Sequence, residues 1–384
     1  MDTDTKIHLK RKFKEFYFKN PVKPPAEVHK REFGVGTLED KIKIRHKSFA
    51  SGAALNQYLR TDAPYYISYS IAYYEYPENQ PIKTKNWNGA DLVFDLDRDI
   101  KWLNQEQMDE VRDEAITLSE FLISDFGISA SDITQNFSGS KGYHIHVFDP
   151  SLRSLGSDER REIIDYLTAT GLELDYFIRT VDSPDGITFQ KRGPKLSGGS
   201  RVGPRRGDKG WPERIYLQAR HLLASDEEEL RGDYGLTPRM AKKIVANRDR
   251  NLEFIDKGKW DAVFDVRSKL RKMLFKEYAV KILEDADRMV TFDTSRLIRL
   301  PDSIHAGTGL AAAQAKDIGS FNPLVDAVAF SDEPEKIRVT KDVPTFQFME
   351  NEWGPYKAGD GLSLPGYVSM YLMLKDHAEV VRTI

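Results

Sequence analysis

The run DLVFDLDRD at residues 91–99 alternates apolar and acidic side chains with a period of two, the repeat of a β-strand. Leu92, Phe94 and Leu96 face one way, and Asp91, Val93, Asp95, Asp97 and Asp99 the other. One face belongs to a core. The other sets Asp95 and Asp97 about 6–7 Å apart along the backbone, where two ionised carboxylates repel unless something positive stands with them. Any fold of this chain must supply that partner.

A calcium loop is one candidate, since Asp95, Asp97, Asp99 and Glu106 occupy its positions one, three, five and twelve. Ile100 breaks it: the sixth position needs a glycine for the sharp turn, and a β-branched residue is strained there. The segment leading in is also a strand rather than a helix. A bland alternative is a solvated strand end. The remaining reading is a divalent-metal site for phosphoryl transfer, because carboxylates suit Mg²⁺ or Mn²⁺.

Such a site needs a phosphate cradle, and FSGSKGYHIH at 137–146 offers one. Gly139 and Gly142 let backbone N–H groups converge, Ser138 and Ser140 add hydroxyls, and Lys141 adds charge. In the following strand, Tyr143 to Phe148, His144 and His146 share a face. The GxxxxGK[ST] spacing of a P-loop is absent, and a hairpin turn with two half-exposed histidines fits the same residues. A third group, residues 284–305, brings Asp287, Asp293, Arg296, Arg299 and His305, which by themselves also suit a surface ion-pair network.

Around these motifs the pattern predicts a mixed α/β chain with a helical insertion, an α+β class. A basic amphipathic helix ends at Asn20-Pro21, with Ile7, Phe13, Phe16 and Tyr17 among its apolar positions. Residues 31–98 read mostly as strand. A helix is expected from Asn104 to Phe126, stopped by Gly127, and another from about Ser157 to Gly171. Gly186 to Trp211 reads as a basic loop or domain joint, and 222–286 as helical throughout, with a capping box at Ser225–Glu228 and Thr237-Pro238 opening a helix. β signals return in VTFDTSRLIRLP, TFQFME and PGYVSMYLMLK. The expected division is 1–185 and 287–384 as two parts of one catalytic core, with 186–286 inserted.

The chain has 384 residues, 57 Lys and Arg against 60 Asp and Glu, and no cysteine. A net charge of −3 gives no chain-wide signal for a polyanion, so any such site must be local. Without cysteine there is no disulfide, thiolate zinc site or cysteine nucleophile. No N-terminal apolar run and no apolar stretch of about 18 residues occur, so a cytoplasmic protein is expected rather than a secreted or membrane-spanning one.

In that order and with those gaps, FDLD, SGSKGYH and RLIRLPDSIHAGTGL resemble the catalytic small subunit of archaeal and eukaryotic DNA primase. REF near residue 31, the arginine of IRHKSF and the YYISYSIAYY strand extend the likeness. The resemblance implies a primase-type core of mixed β-sheets with RRM-like elements flanked by helices. It implies that Asp95, Asp97 and Asp287 are catalytic and hold two Mg²⁺ or Mn²⁺ ions, with Asp293 as second choice for the third ligand. Ser138, Lys141 and His144 fall on triphosphate contacts; Arg296, Arg299 and His305 fall around the incoming nucleotide. Arg45, and less securely Glu32, match the N-terminal strands of the nucleotide site.

Two departures stand out. The family's zinc knuckle after the Asp-x-Asp strand is replaced by DRDIKWLNQEQMDEV, so no zinc site is expected. Gly307 stands where many members carry lysine, which leaves Arg299 and Lys141 to meet the triphosphate. His146 falls at a variable position and is expected to be structural.

The implied activity is a nucleotidyltransferase, a primase-type DNA-directed RNA polymerase. It makes short RNA primers, with DNA as an alternative product, from nucleoside triphosphates on a single-stranded DNA template, paired with a large primase subunit bearing an iron–sulfur cluster. Lys191, Arg192, Lys195, Arg201, Arg205 and Arg206 are candidates for a template groove, or else a solvated loop. A metal-dependent nuclease or repair-type polymerase of the same fold, or a non-catalytic nucleic-acid clamp, are the competing readings.

Overall fold

A computed structural model of the chain describes residues 1–181, 187–190, 193–196, 200–280 and 289–381. It contains two compact units. The first comprises Met1–Glu120, Ile128–Ile164 and Lys281–Ile384; the second comprises Phe121–Gly127 and Asp165–Val280. Among the described residues no helix is long and apolar enough to cross a membrane.

The first unit opens with helix α1 (Thr3–Lys19), capped by the Asp2 carboxylate, which accepts the Thr5 N–H at 2.8 Å. Its buried stripe is Thr5, Leu9, Phe13 and Tyr17, an i+4 ladder; Ile7 points outward and is 57% exposed. Strands β1 (Phe33–Gly36) and β2 (Ile44–Lys47) follow, and then the chain leaves the expected β pattern for helix α2 (Gly52–Asp62). Ser51 caps that helix, and Leu55 and Leu59 anchor it. The YYISYSIAYY segment breaks at Ile71 into β3 (Tyr66–Ser70) and β4 (Ala72–Tyr74). Next come β5 (Trp87–Ala90) and β6 (Leu92–Asp97), with Leu92, Phe94 and Leu96 in the core as their alternation requires.

Helix α3 (Gln105–Ser124) ends before Gly127, whose φ of +68° suits a residue without a Cβ. Strands β7 (Ile133–Phe137) and β8 (Gly142–Val147) form a hairpin, and α4 (Ser157–Leu167) follows. All six residues of β8 are buried, so His144 and His146 are not the half-exposed pair of a bland hairpin.

In the second unit, β9 (Arg179–Val181) pairs with β12 (Ser200–Val202), and β10 (Ile187–Gln190) pairs with β11 (Gly193–Leu196) inside the stretch expected to be loop. Helices α5 (Trp211–Ala224), α6 (Glu227–Gly232), α7 (Pro238–Ala246), α8 (Arg248–Asp256) and α9 (Arg267–Tyr278) pack on Leu222, Leu223, Leu230, Trp260 and Leu270. Thr237 caps α7 as expected, but the cap of α6 is Asp226, whose carboxylate accepts the Glu229 N–H; Ser225 instead donates back to the His221 carbonyl. The 222–286 segment is not helical throughout: Gly258 to Ala262 is an irregular crossing that bridges to Val202.

Back in the first unit, β13 (Leu297–Arg299) is the only part of VTFDTSRLIRLP that is strand, since Met289–Phe292 forms a helical turn. β14 (Pro334–Val339), β15 (Phe346–Phe348), β16 (Asn351–Trp353), β17 (Gly361–Pro365) and β18 (Ala378–Val380) complete it. The segment PGYVSMYLMLK, expected as strand, is a helix over Gly366–Leu374. Every residue from Gly366 to Met373 is buried, so the helix lacks the polar stripe that would have betrayed a 3.6-residue period.

Two antiparallel sheets of this unit matter most. One runs β13-β3-β1-β2 and the other β6-β8-β7. They are tied together by Arg31, fully buried, which donates to the Ser70 and Ile71 carbonyls and meets the buried Asp91 carboxylate at 2.6 Å, one residue before β6. Asp91 is therefore part of the core and not of the acidic face.

Candidate active site

Residues of these two sheets line a cavity of about 350 Å³. From the β6-β8-β7 sheet come Asp95, Asp97, Ser138, Ser140, Lys141 and His144; from the other sheet and its connections come Lys41, Arg45, Ser68, Asp293, Ser295, Arg296, Arg299 and His305. Segments some 200 positions apart in the chain thus converge. Asp287 lies outside the described residues, so the predicted third metal ligand has no placement here.

The β6–β8 register sets Asp95 opposite His144 and Asp97 opposite Gly142. Nε2 of His144 stands 3.5 Å from Asp95 Oδ1. Burial pushes the His144 imidazole down to about 3, with the Arg299 charge adding to the effect, so the contact joins a neutral ring to a carboxylate and is not an ion pair. Asp97 is pushed up to about 6, first by loss of bulk water and then by the Asp95 charge. Lys141 opposes this with Nζ at 3.6 Å from Asp97 Oδ2, and the 44% of the Asp97 side chain that stays exposed keeps some hydration. Asp99, 83% exposed, lies 3.9 Å from the same lysine.

The turn carrying Ser138 to Lys141 is fixed from both sides. Ser138 N–H donates to the Gly142 carbonyl, and the Thr308 hydroxyl donates to the Gly139 carbonyl. Gly139 has φ of +80°, and a Cβ there would lie 3.0 Å from the Cβ of His305. His305 is in turn oriented: its Nδ1 accepts the Gly307 N–H at 3.1 Å, and its ring meets Tyr66 edge-on. Burial and the Arg299 charge hold His305 neutral, which leaves its proton on Nε2.

Arg299 is the most telling cation. It lies against the Tyr66 ring at 4.8 Å, burial pushes it down to about 10, and one terminal nitrogen, buried from solvent, has no hydrogen-bond partner among the described residues. A buried, unpaired guanidinium N–H is costly, and an incoming anion removes that cost. Arg45 is held differently: its Nε donates to Glu32 Oε1 at 2.9 Å, and the fully buried Glu32 also faces Lys85 at 3.6 Å and His46 at 3.3 Å. Glu32 thus positions Arg45 from beneath. Asp293 accepts from both the N–H and the hydroxyl of Ser295, at 2.9 and 2.6 Å.

Of the described residues expected at the metals or the nucleotide, all but Glu32 line one cavity, and Glu32 lies beneath Arg45 instead. Sequence reasoning missed Lys41, Ser68 and Ser295. Lys41 sits in the β1–β2 connection, where nothing local marks it, but RLIRLP did draw attention to the segment next to Ser295. His146, expected to be structural, is 1% exposed, its two ring nitrogens without a partner among the described residues, and it is stacked against Tyr69 and Phe148.

Five cations, Lys41, Arg45, Lys141, Arg296 and Arg299, face three carboxylates, Asp95, Asp97 and Asp293. Among the described residues no three carboxylate or imidazole groups cluster at metal-holding spacing. The Asp95 and Asp97 oxygens are nevertheless the hard donors that Mg²⁺ or Mn²⁺ takes, and the desolvation and Asp95 charge that raise Asp97 are a cost a bound cation would relieve. In sum of charge and shape, the cavity suits a polyanion accompanied by such ions.

Residues 94–315 match the family model described as the DNA primase small subunit. Among curated relatives, the DNA primase small subunit PriS of Methanococcoides burtonii is 35% identical, over 99% of this chain and 99% of the relative. PriS of Methanocella arvoryzae is 36% identical over the same shares, and PriS of Archaeoglobus fulgidus is 33% identical over 97% of this chain and 98% of the relative.

Proposed function

From the premise that this chain belongs to the DNA primase small subunit family, we propose that its cavity joins nucleoside triphosphates into short primers on a single-stranded DNA template. The 3′-hydroxyl of one nucleotide attacks the α-phosphorus of the next, and pyrophosphate leaves. The observation that carries the reading is the single cavity in which Asp95 and Asp97 meet five cations, one of them a buried arginine with an unpaired donor.

Asp95, Asp97 and Asp287 would hold two Mg²⁺ or Mn²⁺ ions, which when bound activate the attacking hydroxyl and stabilise charge on the leaving oxygen. Lys141 and Arg299 neutralise the triphosphate, Arg299 through its free N–H. Ser138 and the adjoining turn offer short donors, and the neutral His144 and His305 donate hydrogen bonds and do not serve as bases. Arg45 and Arg296 flank the nucleotide.

A nuclease also uses clustered carboxylates, but it has less need of five cations for its substrate. The core is read as the primase-type arrangement with RRM-like elements. The working form is a heterodimer with a large primase subunit, and it acts in the cytoplasm at the nucleoid. RNA is taken as the product, with DNA as the alternative.

The test supplies the purified chain with single-stranded DNA, ribo- and deoxyribonucleotide pools and Mg²⁺ or Mn²⁺, beside Asp95→Asn. Short template-dependent oligomers are expected from the native chain and a loss of about 100-fold or more from the variant. Synthesis by Asp95→Asn at the native rate would sink the assignment.

A further inference from the structure

The second unit carries a cleft of its own, with a volume of about 640 Å³, within the size of known small-molecule and nucleotide sites. Tyr176, Phe177, Arg179, Arg205 and Lys257 are among its lining. Its floor is the close crossing of Gly203 and Gly258: the Gly203 N–H donates to the Gly258 carbonyl, and a Cβ on Gly258 would come within 2.9 Å of the Gly203 carbonyl oxygen. Behind that floor the fully buried Trp260 ring donates its N–H to the Pro204 carbonyl at 2.8 Å. The shape is therefore held by packing and not by mobile side chains.

Tyr176 is 83% exposed, because it ends a single 3-10 turn whose Leu174 is turned into the core. One exposed ring is ordinary on a protein surface. Its neighbours make it informative. Arg179, opposite Val202 in the β9–β12 ladder, and Arg205 have no ion-pair partner among the described residues, and Asp208, the one carboxylate lining the cleft, accepts the Arg205 backbone N–H. Lys257, by contrast, is already paired with Glu253 at 2.5 Å.

Charge separates the two units in the same sense. The second holds 23 Lys and Arg against 19 Asp and Glu, a net +4, while the rest of the chain is −7. A polyanion is therefore favoured on this unit despite the acidic whole. A second basic cleft, at Arg239, Lys243 and Arg250, has Asp261 and Asp265 in its lining and only the cation-covered Phe254 as an aromatic, so it is the weaker site.

We propose that the Tyr176 cleft binds single-stranded nucleic acid, with an unpaired base stacked on Tyr176 and adjacent phosphates on Arg179 and Arg205. An exposed aromatic flanked by free cations is the combination that holds single strands without reading sequence, because every base has a face to stack and every nucleotide a phosphate. Duplex offers no splayed base and gains only the arginine contacts.

The experiment measures binding of a fluorescent oligo-dT, about 20 nucleotides long, to the whole chain by anisotropy over a range of salt. Tyr176→Ala is expected to weaken binding about tenfold, and Tyr176→Phe, which keeps the ring, to stay within about twofold of native. Arg179→Ser with Arg205→Ser should lower the slope of log K against log salt by about 1.4, or 0.7 per lost phosphate contact. The titration is run with chelator and without nucleotides, where no synthesis can occur, so a failure of the catalytic reading leaves this result untouched. Tyr176 is exposed enough that its removal spares the fold, and a thermal melt verifies that. Native affinity in Tyr176→Ala, as expected if the cleft docks a protein instead, overturns the proposal, and so does an unchanged salt slope in the double arginine variant.

Discussion

Asp95 and His144 face each other across one rung of the β6–β8 ladder, with Nε2 3.5 Å from Oδ1, and burial keeps the imidazole neutral. A histidine whose pKa lies near 3 stays uncharged throughout the working range, so its titration cannot shape the rate near neutrality. The kcat/KM profile is therefore expected to show no limb between about pH 6 and 7 that His144→Gln removes. His144→Ala should raise the nucleotide KM about tenfold, the loss of a hydrogen bond to a charged group, and lower kcat less. A limb near pH 6.5 that vanishes with His144 would show a proton-transfer role instead.

Asp97 makes a stability prediction that needs no turnover. Its carboxyl is raised to about 6 from an ordinary 3.8, so the folded chain binds this proton more tightly than the unfolded chain does. A raised carboxyl lowers stability fully above its folded value and not at all below its unfolded value. With chelator present, Asp97→Asn is expected to melt a few degrees higher than native at about pH 7.5, a gain of about 1 kcal/mol once the water around the side chain is allowed for. That gain should shrink as pH falls from about 6 to 4. Adding Mg²⁺ or Mn²⁺ should raise the native melting temperature and barely move the variant. Equal melting of the two proteins in chelator at neutral pH would mean that neither burial nor the Asp95 charge disfavours the ionised Asp97 carboxyl.

Gly142 tests how the carboxylates are carried. It pairs with Asp97, and a Cβ there would stand 2.0 Å from the Leu96 carbonyl oxygen, so Gly142→Ala must prise β8 from β6 where both aspartates lie. A loss of about 2–4 kcal/mol in urea unfolding is expected, together with weaker metal-induced stabilisation. Gly127→Ala is the control: nothing lies within 4 Å of its Cβ position, and only the positive φ opposes alanine, at about 1 kcal/mol.

The period-two pattern of DLVFDLD and the glycine spacing of SGSKGYH marked Asp95, Asp97, Ser138, Lys141 and His144 as candidates, because strand alternation and turn chemistry are local properties, while the family resemblance chose between a site and the bland readings. The convergence of Lys41 and Ser68 on the same cavity was not legible, since it depends on which sheets meet. Helix Gly366–Leu374 read as strand for a related reason: buried on all sides, it shows no periodic polar face, and its tyrosines and valine resemble strand residues. Helix α2 was hidden among real strands, with only Leu55 and Leu59 to mark its inner face. Asp91 looked like a fourth member of the acidic face because alternation sets direction and says nothing about what the chain packs there.

Arg299 separates binding from folding. Its buried, unpaired N–H costs the empty protein something, so Arg299→Met, which keeps the stem against Tyr66, is expected to leave the melting temperature unchanged or slightly raised. The same change should raise the nucleotide KM about tenfold to a hundredfold, and Arg299→Lys should restore only part of the loss, since a point charge cannot reproduce the planar fork. Strong destabilisation by Arg299→Met would mark the arginine as a structural group.

Arg31 lies behind the site and touches none of the cavity, yet it joins the sheet bearing Arg299 to the strand bearing the aspartates. Its guanidinium meets Asp91 at 2.6 Å with neither side chain more than 1% exposed, and the Tyr73 hydroxyl donates to the other Asp91 oxygen at 2.7 Å. Truncating one partner of such a pair strands the other as a buried charge, so Arg31→Met is expected to cost about 3–5 kcal/mol. Removing both charges leaves no orphan ion, and the double variant Arg31→Met with Asp91→Asn should recover a large part of that loss in urea unfolding. If the pair also sets the spacing of the two sheets, the double variant will fold but show a raised nucleotide KM, because Arg299 and the aspartates then lack a common anchor. Recovery of both stability and KM would confine Arg31 to neutralising Asp91.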